Sequence, residues 1–388
     1  MEKKLTCLVK KDMEYIIQGA AFLGSGGGGG IEDAHTIEEN IFTNTSYVEI
    51  KNVSDVKSGE SGAVVALMGA PSALKESADF TSPKRAFELL QQIKGNNFSY
   101  CLPIEVGAVN SLVPMLVASQ LGIPVIDADG AGRAVPQLET TTLAMANISP
   151  SPAALVNSIT EKFPSYAVSI SLDKVKLPDG KAQADLMEEA ARNMIDLKDF
   201  GQVGALSMYY IPQSKLEEGV IPDTLKYAHN IGKVIVDGSQ TGKSIENLKS
   251  WFKNNKIKYF TFDESEVIEV KAASSGQGGG FNIGIVKVKN KSGDVVTINY
   301  ENENLFAYLN ENAKNPWAMA PDLICYMTDK GALSNMEIKK GQTVTIFGLP
   351  CNSKMRRKFI TDRFMQILKS LKIYDGSYIP IEIIHRRG

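Results

Sequence analysis

NSLVPMLVASQLGIPVIDADG, residues 110–130, decides how the first half of this chain is built. Its opening, 110–122, predicts a helix: Asn110 or Ser111 can serve as N-cap, and Pro114 still falls within the first turn, where its missing N–H costs little. GIPVIDADG, 122–130, then reads as a strand. Working back, NFSYCLP (97–103) reads as a strand, PKRAFELLQQIK (83–94) as a helix and AVVALMGAP (63–71) as a buried strand. The run is βαβαβ, and crossovers of that length join parallel neighbours.

Upstream, Met13, Ile16, Ile17, Ala20 and Leu23 recur at helical spacing, as do Ile31, Ala34, Ile37 and Ile41. Five consecutive glycines, Gly26 to Gly30, therefore join helix to helix. Downstream the alternation loosens through SYAVSISL (165–172), a helix around 184–197, GALSMYYI (204–211), a helix near 222–232, KVIVDG (233–238) and a helix over 245–255. From about 257 the segments become β-branched and alternating, with Lys291-Ser292-Gly293-Asp294 as a hairpin turn and a closing helix near 356–371. The expected fold is α/β. An amino-terminal domain over 1–165, a parallel or mixed sheet with flanking helices, carries the glycine-rich loop and an acidic cleft. A carboxy-terminal domain over 166–388 is α/β at first and largely β from about 257, with the helices of 184–255 free to pack on the first domain.

Lys and Arg number 42 against 44 Asp and Glu, so no global field favours nucleic acid or an acidic membrane. The basic run Met355-Arg356-Arg357-Lys358 is most simply a solvated helix face. The four cysteines are far apart in sequence and form no CxxC pair, which points to reduced thiols. Asp12 and Glu14 interrupt what would be the apolar part of a secretory signal, and no run of eighteen apolar residues occurs. A cytoplasmic protein is expected.

Ligands of parallel sheets bind at the carboxyl ends of the strands. The three loops leaving that edge, MGAPS, PIEVGAVNS and DADGAGRAVPQLE, collect Glu105, Asn110, Asp127, Asp129, Arg133 and Glu139. A plainer reading has Asp127 and Asp129 bracing a turn while Arg133 pairs with one of them. In the glycine tract, Gly24 to Gly29 match GxGxxG, but a helix precedes them where the dinucleotide fingerprint needs a strand. What remains is a loop, Ser25, Gly26, Gly27, Gly28 and Gly29, whose bare amides suit a carboxylate, a phosphate or an oxyanion; a hinge or a close helix contact is the competing reading. VIVDGSQTGKS (234–244) is one residue short of a phosphate loop, so no nucleotide is expected. His35, His229 and His385 show no metal-site spacing. A divalent metal, if present, would take oxygen ligands from Glu105, Asp127 and Asp129, favouring magnesium or manganese over zinc. Cys101 reads as a buried packing residue, and Trp317 as an anchor between the β-rich domain and its neighbour.

AAFLGSGGGGG, residues 105–139, ENENLFAY and APDLICYMTD together resemble the S-methyl thiohydantoin desulfurase family, formerly a domain of unknown function. The resemblance spans nearly the whole chain and is most specific at 105–139; the chain departs from the pattern at Ile31-Glu32-Asp33. It implies an amino-terminal α/β domain with a largely β partner and chemistry on small cyclic amides or their sulfur analogues. It also implies association with hydantoinase- or oxoprolinase-type enzymes, either as a neighbouring activity or as a non-catalytic accessory subunit; a homo-oligomer is left open. Displacing methanethiol from an S-methyl thiohydantoin needs water to attack the ring carbon bearing sulfur, a base, and donors for the developing charge. Glu105 or Asp129 is the expected base, Arg133 and the Gly26 to Gly29 amides the charge stabilisers, and Asn110 an orienting group. Ser25, Asp127 and Glu139 complete the expected substrate contacts.

Overall fold

The computed structural model describes residues 6–69, 80–158, 166–172, 180–272 and 282–386. The part of the MGAPS loop past Gly69, the domain boundary at 165 and the Gly280-Phe281 start of one predicted strand lie outside them. Two eight-stranded sheets carry the fold. The first contains β1 (Cys7–Leu8), β2 (Val48–Lys51), β3 (Ser61–Gly69), β4 (Tyr100–Leu102) and β5 (Val125–Ile126). Ala128–Asp129 is β6, outside that sheet; β7 (Ala153–Asn157), β8 (Ala167–Ile170) and β9 (Val203–Pro212) rejoin it, giving the order β1-β2-β5-β4-β3-β9-β7-β8. β2, β5, β4 and β3 are parallel, and antiparallel strands flank them on both sides. The mixed sheet therefore forms around the βαβαβ run, and it extends to residue 212. β10 (Ile221–Pro222) pairs with β6.

The second sheet is antiparallel throughout. It comprises β11 (Phe260–Ala272), β12 (Ile283–Lys289), β13 (Val295–Glu301), β14 (Glu303–Leu309), β15 (Pro316–Met319), β16 (Leu323–Thr328), β17 (Gly331–Leu333) and β18 (Thr343–Leu349). Its strands alternate as a half-buried sheet requires, as in the iBiBiBe pattern of β12. Asn290 and Asp294 close the β12–β13 hairpin, with Gly293 at φ +93° supplying the left-handed position. Trp317 corrects one expectation. It packs within this sheet's own core, edge-on to His385 and beside Ile381, and is no inter-domain anchor.

Helices α1 (Lys10–Leu23) and α2 (Ile31–Asn44) flank the glycine loop; α3 (Ser82–Lys94) and α4 (Ala108–Leu121) are the crossovers. α4 is buried on nearly every face, consistent with an apolar helix that lacks a polar stripe. After α5 (Thr142–Met145), α6 (Gly180–Ile195) and α7 (Gln213–Gly219) comes α8 (Thr224–Ser239). KVIVDG belongs to α8 and is not a strand. Ile231 and Ile235 continue the helical spacing into the core, and Gly232 meets Gly19 of α1 so closely that a methyl group on either would overlap the other helix's backbone. Tertiary packing overrides the β-branched pair Val234 and Val236. The near-phosphate loop is thus the turn from α8 into α9 (Ser244–Asn254), closed by Lys243 N–H to Gly238 carbonyl at 2.9 Å. α10 (Lys358–Ser370) and α11 (Ile381–Ile384) end the described chain. One apolar core runs from α1, α2, α4 and α8 into Leu323, Cys325, Met327 and Phe347 of the second sheet, so the two sheets are held as one body around the glycine loop.

Candidate functional site

The glycine loop is fastened at both ends. Ser25 Oγ accepts from Ile324 N–H at 2.8 Å and donates to Ile324 carbonyl at 3.1 Å, and Ser25 carbonyl accepts from Asn304 N–H at 2.7 Å. Gly26 carbonyl accepts from Asn335 N–H at 2.8 Å, and Gly28 carbonyl from Val109 N–H at 2.9 Å. The loop therefore bridges β14 and β16 of the second sheet to the start of α4. Gly28 lies against Gly107, where a methyl group on either would overlap the other's backbone; Gly28 also sits at φ +76°. These contacts answer the need for bare backbone. The N–H groups of Gly28 and Gly29 have no acceptor among the described residues. The first amide of α2 is already taken: Ile31 N–H donates to Glu337 at 3.0 Å. Glu32 and Asp33 fall in that helix's first turn, where negative charge suits the positive end of the dipole.

A cavity of about 170 Å³ opens over this loop. Gly26 to Gly29 form its floor; the ends of β3 and β4 contribute Leu67, Gly69 and Glu105. Asn110, Gln137, Glu188, Arg192, Asn282, Asn302, Glu303 and Asn335 supply the polar wall. The site thus lies at the carboxyl edge of the parallel strands, but the second sheet closes it.

Glu105 is buried, its Oε1 accepting from Asn110 Nδ2 at 2.8 Å and its Oε2 from Val135 N–H at 2.7 Å. Burial pushes its carboxyl up to about 7, against the pull of those two donors and of Arg133. Asn110 is held in turn, its Oδ1 accepting from Leu67 N–H at 3.2 Å. Glu303 stands well above the usual carboxylate range, first through burial and then through the charge of Glu105. Behind these, Glu188 binds Leu138 N–H at 2.7 Å and pairs with Arg192 at 2.7 Å.

Of the residues picked from the sequence, Glu105, Asn110, Gly26, Gly27, Gly28 and Gly29 converge on the cavity. Asp127, Asp129, Arg133, Glu139 and Ser25 are not among its lining residues. Asp127 Oδ1 accepts from Leu225 and Lys226 N–H at 2.9 and 3.1 Å, which caps α8; burial pushes it up to about 6. Asp129 accepts from Ala131 and Gly132 N–H within its own turn, and burial pushes it up to about 8. Arg133 is fully buried and donates to the carbonyls of Ala134, Asn304, Pro321 and Asp322 at 2.8 to 3.2 Å. Its guanidinium ties the 128–139 loop to the second sheet, and Arg133 is not among the cavity's lining residues. Glu139 is buried in a 3₁₀ turn, and Ser25 acts as the loop's fastener.

The oxygen ligand set fares likewise: Glu105, Asp127 and Asp129 each turn onto different backbone amides and do not share a point. Among the described residues the converging group with metal-capable atoms is Glu14, His35 and Glu38, outside the cavity. There His35 places Nδ1 3.1 Å from Glu38 and Nε2 3.6 Å from Glu14, so both ring nitrogens already face carboxylates. Cys101 points its thiol at Pro114 carbonyl, and burial pushes the thiol up. All four cysteines are free.

Glu303, Asn302 and Asn335 line the cavity without being among the residues expected from the sequence. The first two sit in the ENENLFAY stretch, whose alternation of acids and amides among β-branched and aromatic segments was the available signal. A mixed α/β body joined to an antiparallel sheet, with buried acids and amides and bare glycine amides lining one cavity, is the architecture in which the site sits. The chain belongs to the S-Me-THD-like family: residues 11–163 match its N-terminal domain and residues 182–360 its C-terminal domain. It is similar over 97% of its length to the crystal structure of a Chromobacterium violaceum protein, a structural genomics target, at 28% identity and a TM-score of 0.82, with 99% of that chain covered. No curated protein matches the sequence. No described helix is long and apolar enough to cross a membrane.

Proposed function

We propose that the cavity binds a small cyclic amide of the hydantoin or S-methyl thiohydantoin type and hydrolyses it, with Glu105 as general base. The observation that carries the reading is Glu105 itself: a buried carboxyl raised to about 7 that lines the same cavity as the Gly28 and Gly29 amides, which have no acceptor among the described residues. The family's name supplies the substrate class. Water attacks the ring carbon bearing sulfur and passes one proton to Glu105, while the Gly28 and Gly29 N–H groups stabilise the charge gathering on the ring. The carbon–sulfur bond breaks, the departing thiolate takes the proton back from Glu105, and the proton left on the added oxygen moves to the ring nitrogen, so that the oxygen stays as a carbonyl. Asn110 fixes the orientation of Glu105. The four free thiols fit a reducing, cytoplasmic setting.

The test is incubation of the purified protein alone with hydantoins, S-methyl thiohydantoins and oxoproline, following thiol release with a thiol-reactive dye and ring opening by chromatography. Turnover abolished by Glu105→Gln is the expected result. No turnover of any of them rejects catalysis by this chain alone, and activity that emerges only with an added hydantoinase-type enzyme reassigns it as an accessory subunit.

A further inference from the structure

The cavity contains a buried carboxyl that this reaction leaves idle. Glu303, the first residue of β14, is 3% exposed, and its Oε2 has no hydrogen-bond partner among the described residues. What acts on it is burial and the charges of Glu105, Arg133, Glu301 and Arg192, with no hydrogen bond contributing. A buried polar group left unpaired costs free energy unless a ligand completes it. Gly27 makes room for it: a methyl group there would overlap Glu303 Oε1, so the carboxyl packs against the loop, and Glu303 lines the cavity. Asn335 adds a second orphan on the same wall; its Nδ2 donates to Asn302 carbonyl at 2.9 Å, while its buried Oδ1 is unpaired among the described residues.

We infer that Glu303 is the recognition group for the amide edge of the ring: as a carboxylic acid it sets a carbonyl acceptor beside an O–H donor, the complement of a cis –C(=O)–NH– edge, and Asn335 Oδ1 receives a further N–H. Burial and the neighbouring Glu105 charge keep Glu303 protonated, so a neutral ring meets a neutral partner and no net charge is trapped. The ligand class is a ring with an unsubstituted lactam, imide or ureido N–H; alkylation at that nitrogen removes the donor and blocks the edge. This rests on the proposed function in placing a ring in the cavity, but its discriminating feature is the N–H and not the identity of the ring.

Calorimetry with matched pairs tests it: hydantoin against 1,3-dimethylhydantoin, 2-pyrrolidinone against its N-methyl derivative, and succinimide against N-methylsuccinimide. The N–H member of each pair should bind about tenfold tighter or more, the scale expected when a site's polar groups lose their partner. Glu303→Gln, whose amide also offers carbonyl beside N–H, should keep that preference; Glu303→Leu should reduce the ratio to near one. Equal binding within pairs by the wild type, or loss of preference in Glu303→Gln, overturns the inference; the second result would mark Glu303 as an anionic acceptor instead. Lactam and imide pairs that obey the rule while no hydantoin binds would sink the proposed function and leave the inference standing. Hydantoins that bind regardless of methylation would do the reverse, and binding by none of the compounds overturns both.

Discussion

Gly28 of the glycine loop and Gly107 at the start of α4 touch backbone to backbone, and a methyl group on either would overlap the other. The contact sets the floor of the cavity relative to Glu105, two residues before Gly107. Gly107 has an extended backbone at φ −164°, so an alanine there is free of dihedral strain and reports the packing clash alone. Gly107→Ala should lower stability by about 1–3 kcal/mol, the usual range for overpacking. Gly28→Ala should cost more, because φ +76° adds strain. Urea titration measures both, with Gly122→Ala as control: it has φ +67° and nothing within 4 Å of an added methyl group, so it reports strain alone.

Glu105 predicts a pH signature. Its carboxyl is raised from 4.5 to about 7 by burial, so the folded state holds a proton that the unfolded state has released between those values. Its contribution to stability is therefore complete below about pH 4.5 and is lost as pH rises through about 7. The difference in unfolding free energy between wild type and Glu105→Gln should shift against the wild type across that interval. Turnover should move oppositely, since a base must be ionised, and should rise with an inflection near 7. A flat stability difference from pH 4 to 8 would reject the assignment.

Much of the fold was legible because local and tertiary preferences agree in it. The helix expected over 110–122 forms as 108–121, and the turn expected at Lys291–Asp294 joins β12 to β13, but the strand expected over 122–130 splits into β5 and β6, which lie in different sheets. KVIVDG is ambiguous in sequence because its β-branched residues suit either element, and the Gly19–Gly232 contact, distant in sequence, favours the helix together with Ile231 and Ile235. The cavity was half legible for a similar reason. Glu105, Asn110 and the glycines lie at places that parallel-sheet topology singles out, whereas Glu303 and Asn335 arrive from a second sheet whose docking no local pattern announces. Acid and guanidinium groups in the 127–139 loop looked functional, but a loop crossing a buried interface needs the same groups to satisfy its own backbone.

Arg133 is the clearest instance. Its guanidinium donates to four carbonyls, three of them in the second sheet or the turn leading to it, and it is fully buried. Arg133→Met keeps much of the apolar stem but strands those carbonyls, and Arg133→Lys supplies a point charge that cannot span them. Both should destabilise by about 3–5 kcal/mol, as expected when a buried charged network is broken. Thermal unfolding of the two variants is the measurement; a loss below about 1 kcal/mol in Arg133→Met would show that water replaces the guanidinium.

Asp127 separates a helix cap from a substrate contact. Its Oδ1 accepts two N–H groups at the start of α8, and its own carbonyl accepts from Asp223 N–H at 2.8 Å. Asp223, the residue before the helix, stands at φ +62° and makes no side-chain cap, so Asp127 does the capping from a different strand edge. Asp127→Asn retains an acceptor oxygen and removes only the charge. It should cost little, whereas Asp127→Ala should lose about 0.5–2 kcal/mol, the range for an N-cap. Turnover in the proposed hydrolysis should stay within about twofold in Asp127→Asn, because the carboxylate caps a helix and Asp127 is not among the residues lining the cavity. The paired readout of urea midpoint and kcat decides the matter: a large fall in kcat with an unchanged midpoint would restore Asp127 as the substrate contact expected from the sequence.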